Sequence, residues 1–117
     1  MSQHEKINYI EFPSTNLDNT KSFFSTVFGW KFVDYGSDYT AFSNDVMNGG
    51  FFKSTLTATT KYGSALIVFY SEDLEKTRLK IENADGSIIK PIFSFPGGRR
   101  FHFSDPNGNE YAVWSNK

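Results

Sequence analysis

The chain has 117 residues, 12 lysines and arginines against 13 acids, a formal net charge of −1, and no cysteine. That balance gives no electrostatic reason to expect nucleic acid or an anionic membrane as a partner, and the missing cysteines exclude disulfides, thiolate nucleophiles and thiolate metal sites together. The length argues for one compact unit, and 13 phenylalanines within an aromatic fraction of 18% favour strands, large apolar faces and an aromatic-lined pocket.

Residues 1–6 are polar, and no apolar run behind them has the length of a signal peptide or membrane span, so a soluble, cytoplasmic protein is expected. Residues 7–12 form the first predicted strand, which Pro13 stops by removing a ladder donor. Residues 14–18 offer several N-cap side chains. Leu17, Thr20, Phe23, Phe24, Val27 and Phe28 then recur at helical spacing until Gly29 closes the run. Residues 30–35, 39–43 and 51–56 read as three strands, separated by Gly36-Ser37-Asp38 and by residues 44–50. The first half is βαβββ.

The second half repeats it at an offset of 57 residues: Ile10 falls on Ile67, Phe12 on Phe69, Ser14 on Ser71, Leu17 on Leu74, Thr20 on Thr77, Phe24 on Ile81 and Gly29 on Gly86. This predicts a strand at 65–70, a helix capped by Glu72 or Asp73 and running to about Asn83, and an extended run at 87–95 broken by Pro91. The closing hairpin turns at Asp105-Pro106-Asn107-Gly108, where each residue favours a tight reversal. Phe101, Phe103, Tyr111 and Val113 alternate onto one face; Arg100, His102, Glu110, Ala112 and Trp114 share the other, which is too apolar for water and too polar for a sealed core. That face suits a cavity wall.

A first strand ending in Glu11-Phe12, then Asn16-Leu17-Asp18 ahead of a helix with Phe23-Phe24 that closes Phe28-Gly29-Trp30, and later Phe103-Ser104-Asp105-Pro106-Asn107-Gly108-Asn109-Glu110, together resemble the vicinal oxygen chelate superfamily. That superfamily includes glyoxalase I, bleomycin-resistance proteins and extradiol dioxygenases. The resemblance covers nearly the whole chain. It implies an α+β fold in one glyoxalase/bleomycin-resistance-like domain, residues 1–117, built of paired βαβββ modules at about 7–56 and 64–115. Helices lie outside and a cleft lies between the modules, commonly in a homodimer.

In metal-dependent members of that superfamily, four ligand positions fall at places filled here by Tyr9, Phe52, Leu66 and Ala112. Leucine, alanine and phenylalanine offer no donor atom, so no metal or other cofactor is expected. A relocated site would have to draw on Glu11, Glu110 and His102. Period-two alternation puts Glu11 on the face of Tyr9, and Glu110 on the face of Ala112. Each carboxylate either pairs with a neighbouring donor, with Glu110 exposed beside its turn, or serves a ligand. In the second reading Glu11, desolvated by aromatic walls, moves a proton or orients a hydroxyl or amine. Gly97-Gly98-Arg99-Arg100 is either a hairpin approach with solvated arginines or an anion site centred on Arg100. Tyr9, Glu11, Phe52, Leu66, Arg100, His102, Glu110, Ala112 and Trp114 therefore make up the candidate ligand-binding set, with Glu11 and His102 the catalytic candidates.

Two functional classes follow. One is a metal-free module that binds a small, partly aromatic molecule in the cleft, as the bleomycin-resistance branch does with its drug. The other is an enzyme, a lyase or isomerase, that uses Glu11 as general acid or base with help from His102 or Tyr9. No nucleophile and base stand at a recognisable spacing, and the binding module is the favoured reading.

Overall fold

Each half of the chain builds one helix and one four-stranded sheet, as the repeat predicts. In the computed structural model, which describes residues 3–117, the order is β1 (Tyr9–Ser14), α1 (Leu17–Phe28), β2 (Lys31–Asp34), β3 (Tyr39–Ser43) and β4 (Asn48–Lys53) in module 1. A 3-10 turn at Thr60–Tyr62 leads into β5 (Ile67–Tyr70), α2 (Leu74–Asn83), β6 (Ser87–Phe95), β7 (Gly98–Ser104) and β8 (Glu110–Ser115) in module 2. The sheets run β1-β4-β3-β2 and β5-β8-β7-β6. In each, the first strand pairs parallel with the last and every other pair is antiparallel.

The repeat extends to single hydrogen bonds. Asn16 caps α1 by accepting from the Asn19 N–H, and Asp73 caps α2 by accepting from the Lys76 N–H, each at 3.1 Å. The hydroxyl of Ser14 meets that of Thr20 at 2.8 Å, and Ser71 meets Thr77 at 2.7 Å. Each pair ties the end of a strand to the first turn of the helix that follows.

One aromatic core joins the modules. Phe12, Phe42 and Phe51 of the first sheet, Phe23, Phe24 and Val27 of α1, and Phe101, Phe103, Tyr111 and Val113 of the second sheet are all buried in it. Phe24 lies against Trp30 at 4.6 Å, and Phe28 stacks on Phe69 at 4.4 Å. The turn before β8 fastens the modules with polar bonds. Asp105 Oδ1 accepts from the N–H groups of Asn107 and Asn109, and its Oδ2 accepts from the Tyr111 hydroxyl. This fixed turn aims two amides at module 1. Asn107 Nδ2 donates to Asn16 O at 2.8 Å and to Thr20 Oγ1 at 2.9 Å, while Asn109 Nδ2 donates to Pro13 O at 2.7 Å.

Several boundaries depart from the sequence reading. β1 continues through Pro13, because it is an edge strand and the Pro13 peptide faces outward to Asn109, where no ladder donor is needed. β4 begins at Asn48, not Phe51, so Gly49 and Gly50 are strand residues, and the reversal is a tight one in which Asn44 Oδ1 accepts from the N–H groups of Val46 and Met47. α2 ends at Asn83 as expected, but Asp85, not Gly86, carries the positive φ of 71° that Gly29 supplies after α1. Gly86 is needed for closeness instead: a Cβ there would lie 2.5 Å from Ile81 and 2.9 Å from Phe23. Pro91 does not break β6, an edge strand whose register shifts between Ile88 and Lys90 and again between Lys90 and Phe93, the interval that holds Pro91.

Candidate functional site

On module 1, the face opposite Ile10 and Phe12 is open. Register sets out its rows: Glu11, Gly50, Ala41 and Val33 lie side by side across the sheet, flanked by Tyr9, Asn48, Ser43 and Lys31 on one side and by Phe52 and Tyr39 on the other. A shallow groove of about 500 Å³ runs along it past Tyr9, Val33, Tyr35 and Ala41. Tyr39 stands on β3 yet reaches β1, because its ring passes over the Cα of Gly50; a Cβ there would sit 1.9 Å from the phenol oxygen. Its hydroxyl donates to Glu11 Oε2 at 2.8 Å. The Tyr9 and Tyr39 oxygens are 2.6 Å apart, and since Tyr39 has spent its only proton on Glu11, Tyr9 is the donor between them. Burial, followed by the bonds with Tyr9 and Glu11, pushes the Tyr39 phenol well above its usual value, so it stays a donor at neutral pH. Glu11 is exposed, and its Oε1 accepts nothing from the described residues.

On module 2 the corresponding face is covered by its own chain. Glu110, for which the sequence left open exposure beside its turn or a place facing the cleft, is 8% exposed, because the segment joining the modules crosses over it. The Thr60 N–H and hydroxyl donate to Glu110 Oε1 at 2.9 and 2.8 Å, and the Glu110 N–H donates to Ala58 O. Glu110 Oε2 lies 2.9 Å from His102 Nδ1, and Arg100 Nη2 lies 3.0 Å from His102 Nε2. Arginine can only donate, so Nε2 accepts and the ring proton resides on Nδ1, where it donates to Glu110. Desolvation raises the Glu110 carboxyl, but the bonds from His102 and Thr60 outweigh it and hold the group below the usual carboxylate range. Ala112 is fully buried beside His102, while Trp114, the cross-strand partner of Arg100, and Leu66 are half-buried.

A third feature lies between the modules on the other side of β1. A mostly apolar cavity of about 470 Å³ is lined by Ile10, Phe12, Trp30 and Phe42 of module 1 and by Ile67 and Phe69 of module 2. None of the nine candidate ligand-binding residues lines it.

The family model for the Glyoxalase/Bleomycin resistance protein/Dioxygenase superfamily matches residues 6–113. The chain belongs to this superfamily. A glyoxalase-related enzyme from Fulvimarina pelagi shares its fold with a TM-score of 0.78 at 14% identity, over 95% of this chain and 88% of that one. A genomically encoded fosfomycin resistance protein from Listeria monocytogenes does so with a TM-score of 0.78 at 17% identity, over 95% and 93%. For a lactoylglutathione lyase from Agrobacterium tumefaciens the TM-score is 0.71 at 18% identity, over 97% and 96%. No curated protein matches the chain in sequence.

The residues present do not fit the metal this superfamily commonly holds. Phe52, Leu66 and Ala112 have no donor atom, and Ala112 is sealed under its neighbours. Nor are Glu11, Glu110 and His102 gathered into a ligand set: Glu11 is held by Tyr39 in module 1, while the other two are bonded to each other in module 2. Among the described residues no group of three or more His, Asp or Glu side chains is placed to hold an ion. Among the described residues no helix is long and apolar enough to cross a membrane. The sequence reading missed Tyr39, Gly50 and Thr60. The alternation of Tyr39 with Ala41 was available to place the tyrosine on the Glu11 face, whereas nothing local links Thr60 to Glu110, 50 residues on.

Proposed function

We propose that this protein binds a small, partly aromatic molecule without a metal, on the open face of module 1, with Glu11 receiving a donor or positive charge of the ligand. The observation that carries this reading is the Tyr9–Tyr39–Glu11 chain laid over Gly50. It fixes one carboxylate oxygen with a phenol that remains protonated, and leaves the other without a partner among the described residues on an exposed side chain. An exposed carboxylate needs no such support for stability alone, and a fixed one loses less freedom when it takes a ligand. Tyr9, Tyr35 and Phe52, all exposed on this side, supply faces for an aromatic or apolar body. An acid or base role for His102 finds less support, since both ring nitrogens are engaged by Arg100 and Glu110. The homodimer belongs to the same proposal. Each four-stranded sheet ends in open edge strands, which a second copy can pair or cover.

A thermal-shift screen of chelator-treated protein against aromatic amines and their neutral analogues tests the reading. Aromatic amines should raise the melting temperature in the presence of chelator. Stabilisation by divalent transition metals alone, with none of the amines active, would overturn it.

A further inference from the structure

Among the described residues two buried side-chain atoms have no hydrogen-bond partner, Arg100 Nε and Thr59 Oγ1. Both belong to the covered face of module 2. Thr59 precedes Thr60, which holds Glu110; Glu110 holds His102, and His102 holds Arg100. Buried polar atoms are paired in the great majority of cases, and a guanidinium nitrogen can only donate, so the orphaned Arg100 Nε at the end of this network marks a place where an acceptor is missing.

Arg100 is also a cation without a counter-charge. Its neighbour Arg99 is paired with Glu75 at 2.6 Å, but Arg100 enters no ion pair among the described residues. Its Nη2 donates to the lone pair of a neutral imidazole, and its guanidinium lies over the Phe93 ring at 5.9 Å. Both contacts hold the group still, and neither neutralises it. Nη1 has no partner either and, unlike Nε, is not buried. Beside it Trp114 is half-buried, with Tyr70 at 5.0 Å and Phe95 at 6.2 Å between ring centres.

We propose that this part of module 2 is an anion subsite, in which Arg100 receives the carboxylate of a small molecule whose aromatic body lies along Trp114. A planar fork held in place by His102 and Phe93 is matched to a carboxylate, and the aromatic wall favours one carried on a ring. The subsite is independent of Glu11: that group lies on the other module and takes the opposite charge.

The test titrates sodium benzoate into the isotope-labelled full-length chain, at constant ionic strength, with benzyl alcohol as the neutral analogue. Benzoate should give saturable NMR shifts at the Arg100 side chain, the His102 ring and the Trp114 indole through the millimolar range, and benzyl alcohol should not. Arg100→Gln should weaken benzoate about tenfold or more, the loss of one charge-assisted contact. Absence of saturable shifts at these three groups would overturn the proposal. So would equal shifts with benzyl alcohol, or unchanged affinity in a folded Arg100→Gln protein. The comparison of benzoate with benzyl alcohol on the wild-type chain decides the matter even if that variant does not fold.

Discussion

Replacing Asn109 by alanine should destabilise this protein more than replacing Asn107, the other amide that the Asp105–Asn109 turn aims at module 1. The side chain is 1% exposed and makes two bonds to distant parts of the chain: Nδ2 donates to Pro13 O at 2.7 Å, and Oδ1 accepts from the Ala58 N–H at 2.8 Å. Alanine leaves a carbonyl and an amide without this partner where water has little access. Each unsatisfied group costs about 1–3 kcal/mol, so the variant should lose roughly 2–6 kcal/mol. At about 4 °C per kcal/mol for a chain of this size, the melting temperature should fall by about 8 °C or more. Asn107→Ala removes bonds to Asn16 O and Thr20 Oγ1 from a half-buried site that water can enter, and should cost only about 1 kcal/mol. Urea unfolding of both variants measures the difference. If Asn109→Ala lies within about 0.5 kcal/mol of wild type, the ordinary range of surface substitutions, then the turn does not fasten the modules.

Three further outcomes follow from particular contacts. Gly50→Ala should displace the Tyr39 ring, whose oxygen would lie 1.9 Å from the new Cβ, and cost about 1–3 kcal/mol as overpacking does; a crystal structure with Tyr39 still bonded to Glu11 would refute this. The Glu110 carboxyl titrates below its ordinary 4.5 when folded, so its stabilisation is present above that pH and lost as the pH falls through the lower, folded value. The urea midpoint of wild type should accordingly fall toward that of Glu110→Gln below pH 4.5, and parallel curves for the two proteins would contradict the linkage. Light scattering at tens of micromolar should return twice the 13.3 kDa chain mass, and a monomer there would count against the dimer.

The elements legible in the sequence were those whose signal is local. The alternation of Phe101 and Phe103 against Arg100 and His102 placed the core face of the hairpin correctly, since side-chain direction in a strand has period two. Gly29 closes α1 where the sequence places the end, while the cap that residues 14–18 left open proves to be Asn16. Gly49 and Gly50 misled because glycine marks a turn and a close approach with the same letter; the Ile10 carbonyl on β1 and the rings of Phe42 and Tyr39 from β3, which distinguish the two, are remote in sequence. The placement of Glu110 stayed open because its cover, Thr60, lies on the segment joining the modules. The candidate site was half legible for the same reason. Glu11 and Tyr9 were paired from their spacing, but the tyrosine that joins them comes from another strand.

The account stands or falls most directly on the affinity of Glu11→Gln for an aromatic amine that wild type binds, measured by calorimetry beside its urea stability. Glutamine keeps an oxygen that can accept from Tyr39 at this exposed position, so stability should stay within about 0.5 kcal/mol of wild type. Removing the charge should weaken the ligand about tenfold or more, the loss of one charge-assisted contact. Unchanged affinity, with or without a loss of stability, would contradict the assignment of Glu11 as the polar centre of the site.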